Sequence, residues 1–397
     1  MKLLSASWVV PVGAPPIRGG CVAVEAGTIE WVGRTGDADE PEGTHEDLGD
    51  GVLMPGLVNA HTHLELSHLD GLAKRTSGFV PWVQALVDER DRIPDHEMKG
   101  HVGAALEHLQ QETATVAVGD ISNTLASVTP IGLSALRAVV FHEILGWDPQ
   151  KADEALKAAE QRWVRLDTGS ASVRVEQAAH APHSVSPALF DAMRAKGGIA
   201  AIHLAESPAE IQFLKDGTGE WAAFLERRGL GHVRFEAPGV SPVRYAESLG
   251  ILHQGLLAAH AVHVDDVDIT ILAQRGVFVA ACPTSNRNLG VGTAPIPRLL
   301  RGGVRVCLGT DSLASGDSLD VAREMAEVHR SFPHLPPRSI LRMATTTGAA
   351  ALRIPDIGTI APGRRAALAF AHGPVPGDDP ERFVVSGEAK LRRVHVR

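Results

Sequence analysis

The sequence predicts an α/β protein in which a (β/α)₈ TIM barrel lies beside a small β-sandwich domain formed by both termini. Three observations carry this prediction. Eight short apolar segments alternate with amphipathic segments across residues 54–353, a pattern typical of a parallel sheet covered by helices. The two ends of the chain instead show strand-like pieces separated by Gly and Pro. The length of 397 residues is enough for one barrel and one small domain.

The β-sandwich is assigned to residues 1–53 and 354–397. The first segment contains "SWVVPV" and "GCVAVEAGTIEWVG", and the second contains "IGTIAPGRRAALAFAH" and "RFVVSG". Short apolar runs bounded by turn residues are the sequence signature of strands. Two β-rich ends around a different middle therefore predict one domain built from both termini.

The barrel strands are predicted as eight segments that share a buried character, in order "GLVNAHTH", "TVAVGD", "RAVVFHE", "VRVEQAAH", "GIAAIHLAE", "GLLAAH", "GVFVAACP" and "VRVCLGTD". Between them, helices are predicted over residues 151–166 and from Asp265. The stretch 229–250 is longer than a typical loop, and its "SPVRYAESLG" predicts an extra helix.

A further helix is expected to begin at "SPAE". Ser207 would be its N-cap, Pro208 would occupy the first helical position, and Glu210 would complete a capping box with Ser207. This helix would follow directly after the fifth barrel strand.

Composition limits the class of partner. The hydrophobic content of 44% with 21% charged residues is that of a globular protein with a sizeable core. A net charge of −9 argues against a nucleic-acid or anionic-membrane surface, since both require a basic patch. The start of the chain makes a poor signal peptide, and no apolar run approaches the roughly 18 residues of a membrane span. Three widely separated cysteines indicate reduced thiols and a cytoplasmic protein.

Metal-competent side chains stand at the carboxyl ends of the predicted strands. His61 and His63 end the first strand, and their spacing of two directs both to one face. The fifth strand ends near His203, the sixth in His260 and the eighth in Asp311. Active sites of (β/α)₈ barrels lie at these strand ends, so the sequence predicts that all five groups meet at the barrel mouth.

The donor set predicts a hydrolase. Three imidazoles and one carboxylate leave a divalent cation with an open position, where a bound water is acidified to a pKa of about 7 and yields hydroxide. A proton must then move from that water to a leaving nitrogen. Glu206, three residues after His203, is the predicted proton shuttle. One divalent metal is expected, with Zn²⁺ favoured and Fe²⁺ also compatible, because imidazole suits both.

The motifs "MPGLVNAHTH", "HLAES", "AAHAVHVDD", "CPTSNRNLG" and "LGTDSLASGDSLD" resemble the amidohydrolase superfamily, in its aromatic-base deaminase and chlorohydrolase branch. The resemblance implies a barrel beside a β-sandwich, and often a homodimer. It implies four metal ligands, namely His61, His63, His203 and Asp311. It also implies catalytic roles for Glu206, His260 and Asp311. His263 matches no catalytic position and is interpreted as structural.

The motifs also bear on the number of metal ions and on whether the site is instead of the cytidine-deaminase type. Binuclear relatives in this superfamily use a carboxylated lysine at the end of the fourth strand, whereas "VRVEQAAHAPH" contains no lysine, so one metal is expected. The cytidine-deaminase signature needs a C-x-x-C pair, which the sequence lacks. A zinc site of the cytidine-deaminase type is therefore excluded.

Further motifs indicate the class of substrate. "HAPHS" resembles a segment that places a histidine, here His180, against a purine ring, with His183 where a tyrosine is usual. "HTHLELS", "FVPWVQALVDERD", "GDISN", "FHEILG" and "HLAESPAEIQFLKDGTGEW" are similar to the aminodeoxyfutalosine deaminases of the alternative menaquinone pathway. Those enzymes convert the adenine of a benzoate-bearing nucleoside into hypoxanthine. The candidate substrate-binding residues are therefore His180, Glu65, Trp82, Arg90 and Glu143.

Several alternatives stay open at this point. Trp82 could be a core residue, Arg90 a solvated helix charge and Glu143 a strand-end salt bridge. The enzyme could instead be a methylthioadenosine or S-adenosylhomocysteine deaminase, a guanine deaminase or a chlorotriazine hydrolase. A catalytically silent metal-binding protein is the remote alternative, disfavoured because every expected ligand is present.

Overall fold

The computed structural model describes residues 1–164, 166 and 170–396. The protein begins with five strands: β1 Lys2–Val9, β2 Ile17–Glu25, β3 Thr28–Arg34, β4 Thr44–Asp47 and β5 Gly51–Pro55. β1 pairs antiparallel with β2 along its length. On its other side it pairs parallel with β4 through residues 2–5 and with β5 through residues 8–9. The sheet therefore branches at β1.

Eight parallel strands then form the barrel: β6 Leu57–Thr62, β7 Thr115–Ser122, β8 Arg137–Ile144, β9 Val173–Ala179, β10 Ala201–Leu204, β11 Leu257–His260, β12 Phe278–Ala281 and β13 Arg305–Leu308. They pair side by side in chain order. Most of their residues are buried, as expected for parallel strands covered on both faces. The predicted barrel is confirmed, although β10 to β13 have only four residues each, fewer than the predicted segments.

The barrel closes just beyond the ends of its first and last strands. Thr62 and Asp311 form an isolated parallel bridge. Gly309 packs so tightly on His61 that a Cβ atom at position 309 would lie 2.7 Å from the carbonyl oxygen of His61. A residue without a side chain at position 309 therefore lets the two strands approach, and the approach brings His61 and Asp311 to one place.

Helices connect and cover the barrel strands. The first eight are α1 Phe79–Glu89, α2 Asp95–Glu112, α3 Val128–Gly132, α4 Ala152–Val164, α5 Pro187–Ala195, α6 Pro208–Asp216, α7 Glu220–Arg227 and α8 Pro242–Ser248. The others are α9 Asp266–Gln274, α10 Pro283–Asn288, α11 Ile296–Arg301, α12 Val321–Ser331, α13 Pro337–Ala344, α14 Thr346–Ala351 and α15 Pro380–Val385. The predicted helices correspond to α4, α6, α8 and α9. The predicted end of α4 at residue 166 includes Arg165, which lies outside the described residues.

The start of α6 differs from the prediction in one respect. Ser207 caps the helix as expected, accepting a hydrogen bond from the backbone N–H of Glu210 at 3.2 Å. The Glu210 carboxylate does not complete a capping box with Ser207. It accepts instead from the backbone N–H groups of Ala205 and Glu206, because the chain turns back over the helix there.

Both termini join one sheet. β14 Leu368–His372 pairs antiparallel with β5, and β15 Lys390–Val394 pairs antiparallel with β14. The strand order is β15-β14-β5-β1-β2-β3, with β4 beside β1. The expected unit from both termini is thus present as a single hydrogen-bonded sheet of seven strands with one shared apolar core. The division at residues 53 and 354 stays a prediction, and β5 continues to Pro55.

The described helices include none that combines the length and the apolar character needed to cross a membrane. The three cysteines, Cys21, Cys282 and Cys307, are buried free thiols.

Candidate metal centre and active site

Four of the predicted side chains converge at the barrel mouth. His61 lies on β6 and His63 just beyond it, and their ring centroids are 5.0 Å apart. The Nε2 atoms of His63 and His203 are 3.3 Å apart. Oδ1 of Asp311 lies 3.4 Å from Nε2 of His63 and 3.9 Å from Nε2 of His61. Nitrogen and carboxylate donors at these separations surround a space suited to one cation.

The protonation states and missing hydrogen bonds of these donor atoms indicate that they bind a cation rather than pair with one another. His61 is 1% exposed, and its Nε2 has no hydrogen-bond partner among the described residues. Burial lowers the pKa of His61 well below its usual value and also lowers the pKa of His63. Both rings are therefore neutral, which is the form that binds a metal. A buried nitrogen without a hydrogen-bond partner destabilises the fold unless a ligand binds to it.

Asp311 is placed by strained backbone and two hydroxyls. It follows β13 with a φ of 58°, in the left-handed region. Its Oδ2 accepts hydrogen bonds from Ser285 Oγ at 2.6 Å and Ser315 Oγ at 2.8 Å. These bonds leave Oδ1 facing the histidines. Although burial opposes it, the neighbouring His63 imidazole lowers the pKa of Asp311, so the carboxylate is ionised.

The His203 ring is oriented by acceptors that face its Nδ1 atom. Its Nδ1 lies 3.0 Å from the carbonyl oxygen of His180 and 3.3 Å from Oε1 of Glu143. Acceptors on this side favour a proton on Nδ1 and turn the Nε2 lone pair towards the cluster, the usual arrangement behind a metal-binding histidine. Although burial opposes it, the bond to Glu143 raises the pKa of His203 to about 9. A proton therefore competes with the cation at Nε2.

Glu206 and His260 form the second part of the centre. Oε1 of Glu206 lies 3.6 Å from Nε2 of His260. Nδ1 of His260 lies 3.0 Å from Oδ1 of Asn286, which fixes the ring. Burial raises the pKa of Glu206 to about 8 and lowers the pKa of His260 to about 4. Near neutral pH, Glu206 can therefore take up or release a proton while His260 stays neutral.

A cavity of about 320 Å³ opens above the centre. Its polar end contains His63, His180, His203, Glu206, His260 and Asp311. Its other walls are apolar and come mainly from two helices: Phe79, Trp82 and Val83 from α1, and Trp221, Phe224 and Leu225 from α7. Trp147 and Leu230 also contribute to these walls. A single cavity thus joins the reactive groups to an aromatic wall.

The predicted substrate contacts have different surroundings. His180, Trp82, Arg90 and Glu143 all line the cavity. Burial lowers the pKa of His180 to about 3, so its ring is neutral. Glu65 is outside the set of residues that line this cavity. Its carboxylate accepts hydrogen bonds from the end of β7 and the loop that follows: from Ser122 Oγ, from Thr124 Oγ1 and from the N–H groups of Asn123, Thr124 and Ala126.

Sequence reasoning did not single out the residues that support this centre. Ser285 and Asn286 belong to the quoted "CPTSNRNLG", and their position just after β12 is the signal that could have identified them. Asn123, which donates to Oε2 of Glu143 at 2.9 Å, likewise follows β7. In barrels of this architecture, side chains just after a strand end are candidates for supporting roles.

Comparison with known proteins agrees with this geometry. The amidohydrolase family matches residues 52–391 of the chain. The chain is therefore a member of the amidohydrolase family, whose enzymes use a divalent metal.

Similar proteins indicate which class of amidohydrolase the chain belongs to. The 5-methylthioadenosine/S-adenosylhomocysteine deaminase of Desulforudis audaxviator is 34% identical over 389 residues, covering 92% of this chain and 83% of the relative. The aminodeoxyfutalosine deaminase of Deinococcus radiodurans is 32% identical over 368 residues, covering 85% and 82%. Among solved structures, Helicobacter pylori aminofutalosine deaminase in complex with methylthio-coformycin matches with a TM-score of 0.84 at 23% identity, over 100% of both chains. The protein is a deaminase of the adenine-nucleoside group, a hydrolase of carbon–nitrogen bonds.

Proposed function

We propose that the protein deaminates an adenine nucleoside that carries an aromatic 5′ substituent, with aminodeoxyfutalosine as the favoured substrate and ammonia as the second product. One observation carries the proposal: the cavity that ends at Glu206 and the histidine cluster is walled elsewhere by aromatic side chains from α1 and α7. The 32% identity to an aminodeoxyfutalosine deaminase supports it. The second candidate is methylthioadenosine or S-adenosylhomocysteine, supported by the 34% identity to such a deaminase.

Four residues would hold one divalent ion, with Zn²⁺ favoured over Fe²⁺: His61, His63, His203 and Asp311. When bound, the ion would supply the Lewis acidity that lowers the pKa of a water to near 7. The neutral imidazoles of His61 and His63 and the ionised Asp311 are in the protonation states that such binding needs, whereas the ion would displace a proton from His203. The absence of a lysine after β9 supports one ion rather than two.

The chain's own groups then move the protons. Glu206 accepts a proton from the attacking water as its oxygen adds to the amino-bearing ring carbon. The same carboxyl gives this proton to the ring nitrogen. It then takes the second proton from the hydroxyl now on that carbon and gives it to the departing amine, so that one water is consumed and ammonia leaves. A pKa of about 8 suits both directions of transfer near neutral pH. His260, neutral and fixed by Asn286, would contact the same water.

The aromatic wall distinguishes the two candidates. A benzoate group offers a ring that stacks on Trp221 and Phe224, and such aromatic contacts add about 0.5–1.5 kcal/mol each beyond area burial. A methylthio group offers no ring for this contact. The amino-acid end of S-adenosylhomocysteine brings an ammonium and a carboxylate against this apolar wall, whereas a benzoate brings one charge, so the cost of burying charge is larger for S-adenosylhomocysteine. The cavity walls therefore favour the aromatic substituent.

The same proposal includes three finer points. A role in menaquinone synthesis follows from the favoured substrate. A cytoplasmic location is supported by the three reduced, buried thiols. Formation of a homodimer rests on the resemblance to the superfamily.

A substrate panel tests the proposal. With metal-loaded enzyme, kcat/KM for aminodeoxyfutalosine should exceed the values for adenosine, methylthioadenosine and S-adenosylhomocysteine by about tenfold or more, as two aromatic contacts imply. Phe224→Leu should reduce this advantage, and adenosine serves as the internal control because it carries no aromatic 5′ substituent. A preference for methylthioadenosine or S-adenosylhomocysteine would establish the second candidate. Turnover of guanine alone would overturn the adenine assignment.

A further inference from the structure

The chain turns sharply between β10 and α6, and this turn carries the proton-transfer carboxylate. Ala205 has a φ of 54°, in the left-handed region that alanine rarely adopts. Such a conformation persists only where surrounding contacts hold it, and these positions concentrate at functional sites. The contacts that hold Ala205 therefore also fix the backbone of Glu206.

The carbonyl groups of this turn accept hydrogen bonds from the residues that follow the neighbouring strand β11. The carbonyl oxygen of Leu204 accepts from the N–H of Ala261 at 3.0 Å. The carbonyl oxygen of Ala205 accepts from the N–H groups of Val262 at 3.0 Å and His263 at 2.9 Å. The turn after β10 is thereby tied to the turn after β11, which bears His260.

The N–H side of the turn is held by one side chain. Glu210, which is 1% exposed, accepts from the N–H of Ala205 through Oε1 at 3.2 Å and from the N–H of Glu206 through Oε2 at 2.8 Å. Successive N–H groups around a left-handed residue form a concave site for an anion. The Glu210 carboxylate fills that site, and α6 holds it there because Ser207 caps the same turn of helix.

We propose that Glu210 is a positioning residue for the deamination: it fixes the backbone from which Glu206 transfers the proton. The inference rests on the proposed function, in which Glu206 is the proton shuttle. Proton transfer requires heavy atoms about 2.6–3.2 Å apart. A small displacement of the turn would therefore reduce the rate of the chemical step, while the affinity for substrate and for metal would change little.

The test is Glu210→Gln. Glutamine keeps one acceptor oxygen but presents an NH₂ donor to a backbone N–H, so the pair of hydrogen bonds cannot form. We expect kcat to fall about 10- to 100-fold, the scale of a displacement near 1 Å. KM and metal content should stay within about twofold of the native values. The variant Asp268→Asn is the matched control, because Asp268 is a buried carboxylate that accepts a backbone N–H at the start of α9 instead.

A double-mutant cycle separates positioning from general stabilisation. If Glu210 acts through Glu206, Glu210→Gln should cost about twofold or less in kcat in a Glu206→Gln background, because the group it positions is already inert. Multiplicative losses in the cycle would overturn the inference. So would a native kcat in Glu210→Gln. If Glu206→Gln itself kept full kcat, the proposed function would fail instead, so the two failures are distinguishable.

A rival role for Glu210 has its own signature. Its Oε1 also lies 3.6 Å from Nδ1 of His183, which lines the cavity. A role through His183 would raise KM and leave kcat unchanged, and that result would overturn the proposal. Should Glu210→Gln fail to fold, Glu210→Asp serves in its place, because it keeps the charge but withdraws the carboxylate by one methylene. The same fall in kcat and the same non-additivity are expected of it.

Discussion

Three reactive side chains of the centre, Asp311, His260 and His203, are each oriented by a partner from another element. Ser285 on α10 binds the far oxygen of Asp311, and Asn286 beside it binds His260. The carbonyl oxygen after β9 faces Nδ1 of His203. Such partners fix tautomers and ring directions, and their removal typically weakens metal binding 10- to 100-fold. The centre is therefore formed by the ends of at least four strands acting together.

The metal ligands give a prediction at this scale. The native protein should contain about one divalent ion per chain, and His61→Asn should lose most of it because one of four donors is gone. The fold should survive, since the layers of side chains inside the barrel stabilise it independently of the mouth. Elemental analysis with a thermal melt measures both quantities.

His263→Gln is the matched control for that measurement. Nε2 of His263 lies 2.7 Å from the carbonyl oxygen of Val291, so this histidine is occupied elsewhere. The variant should retain its metal. Two tightly bound ions in the native protein would contradict the single-metal centre, and a fully loaded His61→Asn would contradict the ligand set.

At the scale of elements, Glu65 shows how the end of a strand changes the direction of the side chains that follow it. A spacing of two from His63 predicts a shared face only if the strand continues. β6 ends at Thr62, and the chain enters a 3₁₀-helix over Leu64–Leu69. The carboxylate consequently turns to the loop after β7, where Asn123 contacts Glu143. Glu65 supports this loop.

Glu65→Gln should therefore loosen the loop. An NH₂ group would replace one acceptor oxygen among several N–H and O–H donors, and an unsatisfied buried donor costs about 1–3 kcal/mol. We expect a lower Tm and a raised KM, with kcat affected less, because Glu143 in the cavity loses the support of Asn123. Thermal melts and steady-state kinetics check this. Glu30→Gln, at an exposed position of β3, is the control, and a native Tm in Glu65→Gln would refute the supporting role.

The sequence allowed prediction of groups whose position depends on strand ends alone. His61, His203 and His260 lie on strands, and the strands were recognisable from their apolar runs. Ser285 was missed because its partner Asp311 is 26 residues away and on another element. The role of Glu210 was also inaccessible, since nothing in an alanine indicates that Ala205 will be left-handed. Such features arise from tertiary contacts.

At the scale of the whole molecule, three buried carboxyl groups among the described residues hold their protons to unusually high pH. Burial raises the pKa of Asp120, Glu206 and Glu324 to about 8 in each case. Glu206 has a use for this property in proton transfer. Glu324 has a structural position: it lies on α12 and accepts the N–H of Thr284 at the start of α10 at 3.0 Å. It links two segments that surround the end of the barrel.

Glu324 predicts how stability depends on pH. The folded protein binds the Glu324 proton up to a pKa of about 8, whereas the unfolded chain releases it near its ordinary pKa of 4.5. Between these values the folded state holds more protons, so this group's contribution to stability is full below about pH 4.5 and is lost as pH rises to about 8. The slope is about 1.4 kcal/mol per pH unit.

Glu324→Gln removes the titration but keeps an acceptor for Thr284. The Tm of the native protein should therefore fall more steeply than that of the variant between pH 6 and 8, so that the variant gains in relative stability as pH rises. Asp120 and Glu206 titrate in both proteins, and their effects cancel in the comparison. Thermal melts at matched ionic strength measure the difference. Parallel curves for the two proteins would show that Glu324 is ionised in the folded state, and the burial argument for its proton would then be wrong.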